Sequence, residues 1–249
     1  MDRIKVEILK CDTDLAEEFT FLGAVTRKSH KNNTIEAMKQ EAHDLPASKV
    51  AEFLALPHSS LKRFCNITVA ICGASRKFLQ QIRTHHVGIS FMSGSTHYSD
   101  YSNATGKTPK DLFVVPYSMF DSETCTSTYL SDCNHMYVWY KYWVSTGIPH
   151  SDAAYLLPEG LRNNLVMIMN LDAATKIIRE RICGRNTTET RYIMYLLKDA
   201  ISEKLGIDDS YFMPACYQQG CLEGKYCCGK KPSRDIKEEF PKLFMEETC

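Results

Sequence analysis

Hydrophobic and polar residues alternate in several short stretches of the chain, and in others apolar residues recur every three or four positions. The alternating, β-branched stretches predict strands at Ile4–Leu9, Cys65–Cys72, Leu112–Pro116 and Leu161–Met169. The helical spacing predicts helices at Asp14–Thr26, Thr34–His43, Ser48–Leu56, Ser75–Thr84, Thr126–Ser145, Ser151–Leu157, Leu171–Ile182 and Thr188–Leu205. Gly73 should end the second strand, and the Ser- and Gly-rich stretch Gly88–Tyr101 is predicted to be a functional loop.

No internal repeat or linker divides the pattern, so it predicts a single α/β domain over residues 1–249 with a Cys-rich tail from about residue 214. Thirty basic and thirty acidic residues cancel, which argues against a protein that mainly holds nucleic acid. The longest apolar runs are too short to span a membrane, and the start lacks the apolar stretch of a secretory signal. With eleven cysteines, this predicts a cytoplasmic protein with free thiols or a metal site.

The first candidate for a binding site is the hydroxyl- and glycine-rich stretch Gln81–Tyr98, which begins where a predicted helix ends. Backbone N–H groups and serine hydroxyls of such a loop can bind a phosphate, and histidines add donors whose charge changes near neutral pH. The alternative is a hydrogen-bonded connector with incidental histidines. His85 and His86 are neighbours that point apart on a helix, so they make a poor pair of metal ligands.

Two further groups of residues carry possible chemistry. Arg181 and Arg185 would share a helix face, where two guanidinium groups suit a planar or anionic ligand; a solvated face of ion pairs is the alternative. The tail holds Cys216, Cys221, Cys227 and Cys228. Four thiolates could bind zinc, but the spacing matches no familiar zinc motif, so free or redox-active thiols are the other interpretation.

Three separated blocks of the chain resemble, in order and spacing, the motifs of the flavin-dependent thymidylate synthases. The matching segments are Gly73-Ala74-Ser75-Arg76, Gln81 with Thr84-His85-His86, Ser90–Tyr98, Leu157-Pro158, Met169-Asn170, Arg181–Arg191, and Cys216, Cys221–Lys225 and Cys228-Gly229 in the tail. The resemblance extends over roughly half of the chain.

The resemblance implies a mixed α/β domain assembled as a homotetramer, with FAD and dUMP bound at subunit interfaces. It implies transfer of a carbon from methylenetetrahydrofolate to C5 of the uracil ring, with NADPH as reductant, to give dTMP or a related hydroxymethyl product. It implies Arg181 and His85 as catalytic residues and requires no metal ion. The residues implied for the nucleotide are Gln81, Ser93, Gly94, Ser95, Thr96, His97 and Arg181. Those implied for the flavin are Ser60, His85, His86, Asn170 and Arg185.

The chain also departs from the family's motifs at charged positions. The family's Arg-His-Arg is Thr84-His85-His86 here, the arginine that grips the nucleotide phosphate is His97, and a flavin-site arginine is Asp172. An alternative function is therefore that of a divergent paralogue that binds a nucleotide but has lost the standard flavin chemistry. A zinc-stabilised interaction protein is a third hypothesis, which depends on the tail cysteines alone.

Overall fold

The computed structural model describes residues 1–244 apart from 2, 12–13, 32, 43–47, 59 and 105. The strands are β1 (Lys5–Cys11), β2 (Asn66–Ser75), β3 (Ile89–Ser93) and β4 (Arg162–Asn170). The helices are α1 (Leu15–Arg27), α2 (Ile35–Ala42), α3 (Ser48–Ala55), α4 (Arg76–Ile82), α5 (Pro109–Leu112), α6 (Glu123–Ser145), α7 (His150–Ala153), α8 (Leu171–Ile182), α9 (Thr188–Leu205), α10 (Ala215–Gln218) and α11 (Ile236–Glu239). The last residue of the helix predicted at Thr34–His43 and residues 245–249 of the predicted Cys-rich tail lie outside the described residues.

The four strands form one antiparallel sheet in the order β1-β2-β4-β3. Because side chains alternate across a strand, Ile67 and Val69 of β2 and Met167 of β4 are buried on one face. Helices α8 and α9 contribute Ile178 and Ile193 to the same core. The mixed α/β class expected from the sequence is therefore confirmed, and helices cover one face of the sheet.

A second, smaller buried cluster lies beneath the long helix α6. Tyr137 and Tyr140 of α6 pack there with Phe113 and Leu161. The hydroxyl of Tyr137 donates to the carbonyl of Tyr101 at 2.7 Å, so the buried ring has a partner for its polar end. Tyr137 and Tyr140 are thus packing residues, whereas Trp139, Tyr142 and Trp143 of the same helix are 54%, 50% and 42% exposed. Among the described residues, no helix is long and apolar enough to cross a membrane.

Two predictions about strands are wrong. Gly73 does not end β2: it has a positive φ of 75° at an irregularity in the pairing, beyond which the strand continues to Ser75. The predicted loop contains the strand β3, because Ile89–Ser93 pairs with β4 at the sheet edge. An edge strand with one neighbour tolerates serines that face solvent, and these hid it in the sequence.

Other predicted elements differ from those observed. Leu112–Pro116 is not a strand: α5 ends at Leu112, and a single bridge between Phe113 and Leu161 follows. Proline lacks the N–H that a strand needs for further pairing. The helix predicted at Ser151–Leu157 is two short turns that meet at Ala153. The predicted bounds of α8 and α9, in contrast, are confirmed.

Strand β4 continues into helix α8 without a loop residue. The side chain of Asn170 accepts a hydrogen bond from Ala173 N at 2.9 Å and so caps the helix. The N–H of Leu171 donates to the carbonyl of Cys65 at 2.9 Å, which ties the junction to the residue before β2. This junction fixes α8 to the sheet.

Candidate functional site

Arg181, in the last turn of α8, lies at the centre of a hydrogen-bonded cluster. Its Nε donates to His85 Nε2 at 2.9 Å, and its Nη1 donates to Asn186 Oδ1 at 3.1 Å. Its Nη2 donates to Thr84 Oγ1 at 2.9 Å and lies 3.5 Å from the carbonyl oxygen of Gln81. The planar guanidinium therefore connects α8 to the end of α4 and to the α8–α9 connection.

His85 is a half-buried imidazole whose surroundings favour the neutral form. Its Nε2 accepts from Arg181, and its Nδ1 lies 3.9 Å from Glu180 Oε2. Burial, and then the charge of Arg181, lower the pKa of His85 below its ordinary value of 6.5. The neutral ring with its proton on Nδ1 fits both contacts.

Gln81 connects α4 to α9 through its side chain. Its Oε1 accepts from the hydroxyl of Thr190 at 2.7 Å and lies 3.4 Å from that of Thr187. Thr190 is fully buried. The side-chain oxygen of Gln81 is therefore used within the fold, and its NH₂ group is the end that could meet a ligand.

Glu189 and Arg191 support the same region from α9. The carboxylate of Glu189 accepts from the backbone N–H of Ser75 at 2.7 Å and from the Ser75 hydroxyl. Burial raises the pKa of Glu189, although the two Ser75 hydrogen bonds oppose the rise. Arg191 donates to the carbonyl of Ile182 at 3.0 Å and pairs with Glu239. These bonds hold the start of α4 and the end of α8 against α9.

A cleft of about 1090 Å³ opens beside Arg181. Its described lining carries five cationic side chains and three carboxylates: Lys62, Lys176, Arg179, Arg181, Arg185, Asp172, Glu180 and Glu223. Asp172 is also 3.5 Å from Arg63 Nε, so part of its charge is paired. The excess of positive charge favours an anionic occupant.

Arg185 does not share a helix face with Arg181, because α8 ends at Ile182. Its guanidinium lies 5.9 Å from the centre of the Tyr226 ring, and its Nη1 donates to the Tyr226 carbonyl at 2.5 Å. The predicted pair of arginines on one helix face is therefore wrong, although both side chains line the cleft.

The loop after β3 is arranged by hydrogen bonds of its own. The Gly94 N–H donates to the Asn164 carbonyl at 3.1 Å, and its carbonyl accepts from Asn163 Nδ2 at 3.1 Å. A Cβ at Gly94 would lie 2.3 Å from Asn163 Oδ1, so a larger residue would force the Asn163 amide out of its bonds to Gly94 O and Asn164 N. Ser95 Oγ accepts from His97 N at 3.2 Å. The half-buried Thr96 lies in the same turn.

The structure brings Gln81, His85 and Arg181 into one cluster, and Arg83, which lies beside this cluster in the sequence, contacts the predicted phosphate loop. Ser93 accepts from Arg83 and pairs with Leu165 in the sheet. The exposed His97 accepts at its carbonyl from His150 Nε2 at 3.0 Å. The contacts of the loop thus involve β4, α7 and Arg83 at the end of α4. Arg181 contacts the same end of α4 through Thr84.

The remaining predicted residues lie around the β4–α8 junction and beyond it. Asn170 caps α8, and Gly88, with φ of 72°, approaches its side chain so closely that a Cβ would be 2.6 Å from Asn170 Nδ2. His86 is exposed, and Ser60 precedes a short turn before β2. Sequence reasoning missed Asn186, which contacts Arg181, because no spacing marks it.

The chain matches the family model described as thymidylate synthase complementing protein over residues 9–205. It is 26% identical over 210 residues to a flavin-dependent thymidylate synthase of Geobacter sulfurreducens, covering 81% of this chain and 85% of that protein. It is 22% identical over 169 residues to one of Pyrococcus abyssi, covering 68% of each.

Solved structures share the fold. One is thymidylate synthase X of Helicobacter pylori with FAD and dUMP, with a TM-score of 0.62 and 14% identity, covering 84% of this chain and 99% of that one. Another is the UMP/dUMP methylase PolB of Streptomyces cacaoi bound with 5-Br dUMP, with a TM-score of 0.64 and 12% identity, covering 84% of this chain and 94% of that one.

Proposed function

The chain belongs to the flavin-dependent thymidylate synthase family, and from this premise we propose that it transfers a one-carbon group to C5 of a uracil nucleotide such as dUMP. The proposed cofactor is FAD, with NADPH and methylenetetrahydrofolate as co-substrates. The proposed product is dTMP or its hydroxymethyl counterpart.

The observation that carries this proposal is the contact of Arg181 with His85 at the edge of a cationic cleft. Arg181 is held by three acceptors, so its guanidinium meets a ligand in a fixed orientation. A fixed cation suits the stabilisation of negative charge that develops on a pyrimidine ring. The neutral imidazole of His85 adds a polar, uncharged surface beside it.

The donors around the cleft fit a flavin. Its volume of about 1090 Å³ is at the upper end of the range for small-molecule sites, as a dinucleotide requires. Of the residues implied for the flavin, Arg185 lines the cleft and Ser60, His85, His86 and Asn170 lie outside its described lining. We propose that Arg185 binds a phosphate with the donors that Tyr226 leaves free, and that the other four complete the flavin contacts from beside the cleft. When bound, FAD would supply the hydride that completes the transferred methyl group. The reversed charge at Asp172 favours the second candidate, a nucleotide-binding paralogue without flavin chemistry.

We propose that the nucleotide site is completed by a second copy of the chain. Ser93, Gly94, Ser95, Thr96 and His97 would bind the phosphate from one subunit, and Gln81 and Arg181 would bind the base from another. The uncovered face of the sheet supports such an assembly, because Met92, Val166 and Ile168 are 76%, 40% and 46% exposed there. The homotetramer expected from the family would provide these interfaces.

The test is to measure three properties of the purified chain: flavin absorbance, dUMP binding by calorimetry, and tritium release from dUMP labelled at C5. Activity should require added FAD and fall in Arg181→Ala. Arg27→Ala is the matched control, since Arg27 occupies the last turn of α1 and is exposed. A colourless protein that binds dUMP but not FAD would support the paralogue. A protein that binds neither would refute both candidates.

A further inference from the structure

The guanidinium of Arg83 reaches the start of the loop after β3 and brings a positive charge there. Arg83 directly follows the last residue of α4, and its N–H donates to the carbonyl of Leu79 at 3.2 Å. Its Nη2 donates to the hydroxyl of Ser93. Arg83 is exposed, and it forms no ion pair with any residue that the structure describes. An arginine has five N–H donors, so most of this group stays open to a ligand.

Ser93 orients that guanidinium at the edge of the sheet. Ile89 and Phe91 of β3 are half-buried against the core, and side chains alternate along a strand, so Ser93 lies on the same, helix-covered side. Its hydroxyl accepts from Arg83 and donates to the carbonyl of Gly94 at 3.3 Å. Both roles of the hydroxyl are thus used within the chain, and the open donors at this point are those of Arg83.

Two backbone N–H groups of the same loop add to these donors. Those of Ser95 and Thr96 have no acceptor within the described part of the chain, whereas the N–H groups of residues 97–99 all bond to Ser95. The loop is held from β4 by Asn163, whose Nδ2 donates to the Gly94 carbonyl at 3.1 Å. Successive free N–H groups bind anions, and a loop that is already held in place loses little entropy when it does so.

We propose that Arg83, with the free N–H groups of Ser95 and Thr96, binds the phosphate of the nucleotide and makes the site select a nucleoside monophosphate over the nucleoside. The proposal rests on the function proposed above and adds to it the cation of the phosphate subsite. Guanidinium groups match two phosphate oxygens with parallel N–H donors, and such charged hydrogen bonds are roughly twice as strong as neutral ones. Among the described residues, no other lysine or arginine donates to this loop.

Calorimetry with dUMP and with deoxyuridine separates a phosphate contact from a merely structural role. Arg83→Ala should weaken dUMP binding by about 10–100-fold and leave deoxyuridine binding unchanged, because the nucleoside has no phosphate. Arg83→Lys should recover only part of the dUMP affinity, since it keeps the charge without the paired donors. Lys77→Ala is the matched control, because Lys77 is an exposed cation in the first turn of α4, and it should change neither affinity. Equal losses for both ligands in Arg83→Ala would overturn the proposal.

Inorganic phosphate tests the same contact without a uracil ring. In amide NMR spectra it should shift the signals of Ser95 and Thr96 to saturation, and Arg83→Ala should weaken this binding at least about tenfold. Wild-type signals that do not respond, or an unchanged affinity in the variant, would overturn the proposal. So would dissociation of the oligomer in Arg83→Ala, measured by light scattering, because Arg83 would then pair with a second subunit.

The two ligands also separate this proposal from the proposed function. A chain that binds inorganic phosphate through Arg83 but does not bind dUMP would refute the proposed function and keep the anion subsite. A chain whose Arg83→Ala variant binds dUMP as tightly as wild type would refute the subsite and leave the proposed function standing.

Discussion

Replacing Arg181 by alanine removes three hydrogen bonds of 2.9–3.1 Å to His85, Asn186 and Thr84. A hydrogen bond from a charged donor contributes about 1.5–3 kcal/mol, and water can replace part of this at a half-buried site, so we expect the free energy of unfolding to fall by about 1–3 kcal/mol. The affinity for dUMP should fall by roughly 10–100-fold, since each tenfold change corresponds to about 1.4 kcal/mol.

The assay pairs urea denaturation and calorimetry with an NMR titration of His85. Because the charge of Arg181 lowers the pKa of His85, Arg181→Ala should raise that pKa, while burial keeps it below 6.5. Arg181→Lys should keep the pKa low but recover only part of the dUMP affinity, since one ammonium group cannot reach all three acceptors. An unchanged His85 pKa in Arg181→Ala would refute the contact, and unchanged dUMP affinity would refute the placement of the nucleotide.

Three further substitutions test the packing around the site by urea denaturation. Gly94→Ala puts a methyl group 2.3 Å from Asn163 Oδ1 and should lower the free energy of unfolding by about 1–3 kcal/mol. Gly23→Ala, with nothing within 4 Å, should instead stabilise α1 by up to about 1 kcal/mol. Equal effects would show that Gly94 is not crowded by Asn163. The pKa of Glu189 in the folded protein is raised above its ordinary value of 4.5. The stability that this shift contributes is therefore fully present below pH 4.5 and is lost as the pH rises through the folded pKa. The stability advantage of wild type over Glu189→Gln should therefore shrink and then level off with rising pH, and a constant difference would refute burial of this carboxyl. Lys198 is 1% exposed and is paired with two carboxylates. Changing it to methionine should lower the free energy of unfolding by about 3 kcal/mol, and a loss below about 1 kcal/mol would show that solvent reaches these ion pairs.

Elements with strong local signals could be predicted from the sequence, and those that depend on tertiary pairing could not. Helix α8 begins at its Asn170 cap and α9 at its Thr187 cap, and both helices have the predicted bounds. Strand β3 exists because β4 offers it an edge, which local composition does not reveal. The pattern of short apolar runs likewise could not separate a strand at Leu112–Pro116 from an extended segment.

The candidate site divides in the same way. Family motifs placed Gln81, His85 and Arg181 in one region, and the structure brings these three into contact. The bonds of Arg181 to Thr84 and Asn186 depend on how the end of α4 meets the α8–α9 connection, so residue spacing alone does not predict them. The error about Arg185 has a simple cause, because helical spacing does not apply beyond the end of α8.

The direct junction of β4 and α8 has a consequence for how the chain can diverge. A one-residue insertion or deletion at Asn170 would turn the whole helix by about 100° about its axis, since an α-helix has about 3.6 residues per turn. That rotation would move Arg181 away from His85 and would bring the buried Ile178 out of the core. The strand therefore fixes the rotation of α8 about its own axis, and the chain can be lengthened without moving Arg181 only at sites outside this junction.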